Sequence, residues 1–505
     1  MHTEKANTNH AAGTGDGSSQ IFDIKESPIY NADLAPVPPE KRTWNKWHIA
    51  ALWIGMAVCI PTYMLASSLI GQGMNWWQAL ITILLGNLVV LIPMILNAHV
   101  GTKYGVPLPV FLRLSFGVKG SILASLLRGL VACGWFGIQT WIGGAAIYQL
   151  LLVVMPSLAG SLYLGNLIGL NAAQAICFLA FWLMNIWIVY KGIDSIKKLE
   201  AWAAPFLLLI GLVLLIWAWM EVGSMKKILD ASYTLSSQNN VDFWKIFFPG
   251  LTAMVGFWAT LSLNIPDFTR YAKSQKEQAM GQLIGLPGTM VFYSFIGIAV
   301  TSATVLIFGE AIWDPVSLMG RFDSPLVVVL SMHGLVIATL STNIAANVVA
   351  PANGFANIAP KKISFKTGGY ITGVIGILIF PWKLIADPQG YIFKWLIAYS
   401  ALLGSLAGIM ICDYYLVRKK TIDVNELFNP AGKYKGWNKP AWIAFIISII
   451  PVIPGFLVAV GASPAENFSG FLINLYSYAW FVTFGLSFII YYLFTKKNQH
   501  KHYST

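Results

Sequence analysis

The 505-residue chain is 56% hydrophobic and 11% charged, under half the roughly 25% charge of an ordinary soluble domain, which excludes a string of soluble domains. Its net charge of +12 does not mark a nucleic-acid partner, because the basic residues are dispersed through short loops and form no single patch. Cys59, Cys133, Cys177 and Cys412 lie inside apolar runs without a CxxC pair, so they read as small apolar side chains rather than a disulfide or metal set.

In chain order, residues 1–46 are polar and show no basic region leading into a short apolar core, so they do not read as a signal peptide. They are expected to be a disordered cytoplasmic tail ending in Lys41, Arg42 and Lys46. Twelve apolar runs follow, centred on 53–70, 79–96, 122–151, 176–189, 202–219, 247–263, 283–308, 326–349, 371–385, 395–411, 442–460 and 471–494. A spanning helix needs about 20 mainly apolar residues, whereas a barrel would show alternating segments of about 10.

Twelve spans put both termini on one side of a lipid bilayer. Loops on that side hold Lys103, Arg113 and Lys119, then Lys191, Lys197 and Lys198, then Arg270, Lys273 and Lys276. Later loops add Lys361, Lys362 and Lys366, then Arg418, Lys419, Lys420, Lys433, Lys435 and Lys439, and finally Lys496, Lys497 and Lys501. The opposite loops hold Lys226, Lys227, Lys245, Arg321, Lys383 and Lys394. The excess of positive charge predicts cytoplasmic termini in a multi-pass protein of the cell (inner) membrane.

The first span reads W-I-G-M-A-V-C-I-P-T-Y from Trp53, and the sixth reads W-A-T-L-S-L-N-I-P-D-F from Trp258. Trp, Ile-Pro and a final aromatic recur at matching offsets, at the starts of two five-span halves. Proline removes a backbone hydrogen bond and parts the helix before it, and the freed groups must face protein or a cavity. One such proline reads more simply as a kink; two in matched positions favour a midplane site between repeats. The expected fold is an all-α integral membrane protein of twelve transmembrane helices. It comprises a five-plus-five inverted repeat with helices one and six broken, and two extra C-terminal helices. Its boundaries are a tail 1–46, halves 47–222 and 246–413, the last two helices 440–495, and a tail 496–505.

In the third span, Trp135 and Gln139 are four residues apart and share a helix face. An indole offers a flat π surface and a primary amide offers donor and acceptor, which suits a small heterocyclic substrate; bundle packing is the alternative. The eighth span, A-T-L-S-T-N-I-A-A-N from Ala338 to Asn347, is unusually polar. Small hydroxyl residues favour close packing, but they also supply the hard oxygens of a sodium site together with carbonyls of an opened first span. Proton carriers commonly bury an acid or histidine relay. Spans one to ten hold no central carboxylate: Asp267 and Asp413 lie at span ends, Arg128 lies a turn or two inside the third span, and His333 in the outer half of the eighth. Coupling therefore tilts to Na+, with H+ as the alternative. No Walker loop, HExxH pair or GxSxG elbow is present, which disfavours an ATP-driven pump or an enzyme. No organic cofactor is expected.

The segments A-L-W-I-G-M-A-V-C-I-P-T-Y, W-F-G-I-Q-T-W, G-F-W-A-T-L-S-L-N-I-P-D-F-T-R and S-T-N-I-A-A-N resemble those of the nucleobase–cation symport family of cytosine, uracil, purine, thiamine, allantoin and hydantoin permeases. The resemblance covers nearly all of residues 30–440 and implies a leucine-transporter-type fold. It implies that Trp135 and Trp258 sandwich the substrate ring, that Gln139 and Asn347 bond its polar edge, and that the backbone beside Phe257 contributes. The implied sodium ligands are the carbonyls of Gly55, Val58 and Ala338 and the hydroxyls of Ser341 and Thr342. Cys59 stands where the family's hydantoin carrier has glutamine, and Phe257 where it has glycine. Both make the pocket less polar and point toward a uracil or purine substrate, with allantoin or hydantoin as the alternative. A non-transporting sensor or channel is the alternative of a different class.

Overall fold

A computed structural model describes residues 23–191, 193–239, 242–387 and 390–503. Residues 1–22 of the expected tail, and the side chains of Lys197, Lys198, Lys497 and Lys501, lie outside that description. The described residues contain no strand, only two isolated bridges, Trp44 with Ala272 and Tyr163 with Asn171.

The first span is two helices, α1 (Lys46–Ala57) and α2 (Ile60–Gly71), which meet at 59°. Asn45 starts α1 by accepting from the amides of Trp47 and His48, which satisfies two of the four orphan donors of a helix start. Next come α3 (Trp76–Tyr104), α4 (Leu108–Val154), α5 (Ala172–Lys191), α6 (Ile193–Val222) and the amphipathic α7 (Met225–Asn239). The second half holds α8 (Phe243–Asn264), α9 (Pro266–Thr269), α10 (Gln275–Phe308), α11 (Pro315–Met319), α12 (Pro325–Asn347), α13 (Val349–Ala356), α14 (Phe365–Leu378) and α15 (Pro381–Leu384). Span ten follows as a wide-turned segment Gly390–Leu396, then α16 (Ile397–Ile411), then a second wide-turned stretch Cys412–Val417. The chain ends with α17 (Lys439–Ile449), α18 (Ile453–Ala459), α19 (Gly470–Leu475) and α20 (Ala479–Tyr503).

Nine described stretches are long and apolar enough to cross a bilayer unaided, and the bent pair α1–α2 and the pair formed by α6 with α7 raise this to 11. The remaining span, ninth in chain order, is α14, with 14 residues, continued past Phe380 by α15. It begins six residues earlier than the expected run at 371, because Ser364 caps the Thr367 amide and starts the helix there.

Packing reveals the repeat. The α1–α2 pair packs on α10, α3 and α8, and α3 packs on both α8 and α10, while α4, α5, α12–α13 and α14 form a second, mutually contacting group. Each group joins two spans of the first half to the corresponding two of the second, as a five-span repeat requires. Spans eleven and twelve stand outside this core, against α16.

One expectation needs correction, and the depth of one break needs refinement. Residues 23–45 are built into the fold: Ser27 Oγ donates to Phe428 O at 2.5 Å, Asn31 Nδ2 to Pro360 O at 2.9 Å, and Arg42 to the carbonyls of Val37, Thr102 and Lys103. The sixth span does break at the matched Ile-Pro, since α8 ends at Asn264 and α9 starts at Pro266. However, Ile265 keeps helical dihedrals, φ −52° and ψ −29°, and the break lies at the end of the span. The cause is where each helix starts: Pro61 lies 15 residues after the start of α1 at Lys46, whereas Pro266 lies 23 residues after the start of α8 at Phe243, so the motif falls later in span six.

Candidate functional site

One cavity lies between the two groups of helices. It has room for the centres of little more than a single water, about 30 Å³. Met56, Cys59 and Pro61 line it from the break in span one, and Phe257, Trp258, Thr260 and Leu261 from α8. Trp135 and Gln139 of α4, and Thr342, Ala346 and Asn347 of α12, line it from the facing group. All six residues expected to meet substrate are therefore brought together, with Thr342 beside them. Among the described residues no Asp, Glu, His, Lys or Arg lines the cavity, so its chemistry suits a neutral ligand.

The aromatic residues form a connected wall. Phe257 stands edge-on to both indoles, with centroids 5.2 Å from Trp135 and 4.9 Å from Trp258. Trp258 in turn meets Trp53 edge-on at 5.2 Å, so the two tryptophans matched by the internal repeat are neighbours in space. Such T-shaped contacts add about 0.5–1.5 kcal/mol each beyond area burial. The Trp135 Nε1–H donates to the Tyr399 hydroxyl at 3.2 Å, whereas the buried Trp258 Nε1–H has no acceptor among the described residues. Gly137 lets this part of α4 reach α14, because a Cβ there would collide with the Gly376 carbonyl.

The polar edge is held from behind. Asn347 Nδ2 donates to Asn343 Oδ1 at 3.1 Å, and Asn343 Nδ2 lies within 3.2 Å of Phe136 O, Thr140 Oγ1 and Asn185 Oδ1. That chain fixes the Asn347 amide and leaves its carbonyl oxygen for the cavity. Gln139 is buried in the cavity wall, and its amide makes no hydrogen bond to any described residue. A buried amide without a protein partner costs free energy unless a ligand or water pairs with it.

At the break, the amides that would close a continuous helix turn elsewhere. Cys59 N donates to Ala57 O at 3.0 Å instead of Gly55 O, and Thr62 N to Cys59 O at 3.1 Å instead of Val58 O. The carbonyls of Gly55 and Val58 thus lose their helical donors, as a cation site in an opened helix requires. Val58 has non-helical dihedrals, φ −79° and ψ 83°, and α1 touches α12. On α12, Ser341 and Thr342 are buried, and the Thr342 hydroxyl donates to Ala338 O at 3.1 Å. Among these five residues only Thr342 also lines the cavity. Cys59 Sγ lies 3.3 Å from Thr62 Oγ1, and Tyr391 Oη donates to Pro61 O at 3.3 Å, tying span ten to the break.

The remaining ionisable residues stand aside from the cavity. Arg128 is buried and donates through Nη2 to Asn264 Oδ1 at 2.8 Å, while Asp267 accepts from the Leu108 amide at 2.7 Å. His333 is exposed and bonds within its own helix to Val329 O. Sequence reasoning missed Met56, Thr260, Leu261 and Ala346 in the wall and Tyr399 behind it. Thr260 and Leu261 lie three and four residues after Phe257, a spacing that places them on one helix face. The others carry no local signal.

Comparison with known proteins places the chain in a family. Residues 36–483 match the family described as permease for cytosine/purines, uracil, thiamine, allantoin. The purine-uracil permease of Arabidopsis thaliana is 44% identical, over 92% of this chain and 77% of that one. The allantoin permease of Bacillus subtilis is 39% identical, over 92% of both chains. The inward-facing conformation of Mhp1 shares the fold, with a TM-score of 0.72 at 22% identity over 94% of this chain and 95% of that one. A closed Mhp1 structure with bromovinylhydantoin bound, of a nucleobase–cation-symport transporter, gives 0.70 at 22% identity over 93% and 96%. The chain therefore belongs to the family of permeases for cytosine/purines, uracil, thiamine and allantoin, and is a membrane transporter rather than an enzyme.

Proposed function

We propose that the chain imports a neutral nucleobase of the uracil or purine type with sodium, by alternating access across the cell membrane with both termini in the cytoplasm. The observation that carries this reading is the convergence of Trp135, Trp258, Phe257, Gln139, Asn347 and Cys59 on one cavity beside the opened turn of span one. Trp135 and Trp258 hold the ring by its faces, as stacked bases are held elsewhere, and Gln139 and Asn347 pair with its edge. Sodium sits between the Gly55 and Val58 carbonyls and the Ala338, Ser341 and Thr342 oxygens, next to the substrate. The pairing of lysine-rich loops with the terminal side supports the orientation.

Phe257 and Cys59 favour a compact, less polar ring over allantoin. A relative named as a purine-uracil permease at 44% identity supports this, and one named as an allantoin permease at 39% keeps allantoin as the second reading. Counterflow in proteoliposomes preloaded with uracil, hypoxanthine, allantoin or hydantoin decides among them. Exchange of uracil or hypoxanthine is expected. Exchange of allantoin alone replaces the first reading with the second, and no exchange of any of the four overturns both.

A further inference from the structure

A second cavity, about 350 Å³, opens on the terminus-bearing face and shares no lining residue with the first. It sits where α4 breaks. Gly117 has φ +79° and ψ 164°, a combination open essentially only to glycine, and a Cβ there would stand 2.5 Å from the Gly436 carbonyl. The amides freed at the break capture the loop before α17. Val118 N donates to Tyr434 O at 2.8 Å, Lys119 N to Gly436 O at 2.9 Å, and Asn438 N returns to Phe116 O at 2.9 Å. Asn438 Nδ2 adds bonds to Ser115 O at 2.7 Å and the Tyr491 hydroxyl at 3.1 Å. A loop rich in lysine is thereby clamped in one place.

Arg418, Lys433 and Lys435 line this cavity, and no carboxylate does. Arg418 pairs with the buried Asp413 at 3.3 Å, and Glu426 accepts from the Lys433 amide at 2.6 Å. Neither lysine side chain forms an ion pair with a described residue, and both are exposed. At the rim, Trp437 is 50% exposed, the position an indole takes between headgroups and acyl chains. From there the exposed Ile443, Ile446 and Ile447 of α17 continue an apolar surface along the bundle. Anion-binding cations and an apolar track thus meet at one edge.

We propose that this cavity binds the phosphodiester headgroup of an anionic phospholipid of the cytoplasmic leaflet, with its acyl chains laid along α17. Basic pockets between helices on that side suit such headgroups. A free phosphate would satisfy Lys433 and Lys435 but would leave Trp437 and the isoleucine track without a role. Sidedness here rests on the orientation proposed above; substrate transport does not enter.

The test uses purified full-length protein in nanodiscs of phosphatidylcholine alone or mixed with phosphatidylglycerol, reading the thermal midpoint and lipid retention by native mass spectrometry. Phosphatidylglycerol is expected to raise the midpoint and to be retained preferentially. The double variant K433Q/K435Q should lose most of both effects while melting normally in phosphatidylcholine. A control removing equal charge elsewhere, K273Q/K276Q, should keep them. Equal midpoints in the two lipids, or equal loss in both double variants, overturns the proposal. Full protection by inorganic phosphate in phosphatidylcholine discs overturns the lipid in favour of a soluble phosphate.

Discussion

At the residue scale, the two indoles proposed to clamp the ring, Trp135 and Trp258, differ in a way that uptake can measure. Replacing either Trp135 or Trp258 with alanine is expected to weaken substrate binding by about 1–3 kcal/mol, the scale of a base stacked on an aromatic. Phenylalanine keeps a π face, so Trp258→Phe should be the mildest change, because its N–H has no acceptor to lose. Trp135→Phe also gives up the bond to Tyr399, about 1 kcal/mol more. Binding isotherms in which the two phenylalanine variants rank the other way would remove that bond from the account. Phe257 wedges against both indoles, so Phe257→Gly should open the cavity and admit ring substituents the native protein rejects. An unchanged inhibition profile with 5-substituted hydantoins counts against it as the steric limit. Cys59 lines the cavity and is otherwise fully packed. In a variant retaining Cys59 as its sole cysteine, a small thiol reagent should block uptake, and bound substrate should slow the reaction. Identical labelling rates with and without substrate would return Cys59 to the packing between helices.

At the scale of elements, the opened turn between α1 and α2 and the hydroxyls of α12 form one device or none. If sodium bridges them, Ser341→Ala with Thr342→Ala should weaken uptake most at low sodium, and substrate affinity should partly recover at high sodium, since the coupling of two ligands is reciprocal. Uptake that ignores sodium in the native protein and follows a pH gradient gives the coupling to protons. The break itself was legible in the sequence because proline chemistry is local: Pro61 has no amide to donate, and Ile-Pro recurs at Ile265-Pro266. Its depth in span six was not legible. Residue offsets within the motif carry no information about where each span begins, and α8 starts further ahead of its Ile-Pro than α1 does. Ser341, Thr342, Asn343 and Asn347 stood out because polarity in a span is costly. Met56 and Ala346 did not, since an apolar residue looks the same whether it faces a cavity, a neighbour or lipid.

At the scale of the molecule, two four-span groups meet at the cavity, and the spans are unequal in length. The 14 residues of α14 rise about 21 Å at 1.5 Å each before the left-handed Phe380, and the four of α15 add about 6 Å, against a hydrocarbon core of about 30 Å. Val374 and Leu378 are exposed on it, so this face meets acyl chains rather than protein. A span slightly short of the core is met by lipids that shorten or tilt, at a cost of fractions of a kcal/mol per Å of mismatch, so the membrane is expected to dimple on this flank. Any conformational step that moves α14 with its group carries that dimple along and does elastic work on the bilayer. Turnover, more than substrate affinity, should therefore fall as the protein is reconstituted into lipids of increasing chain length, and turnover independent of chain length would disconnect the short span from the transport cycle. The thickness of the surrounding membrane then becomes a control on transport rate, exerted through a helix that contributes no residue to the substrate cavity.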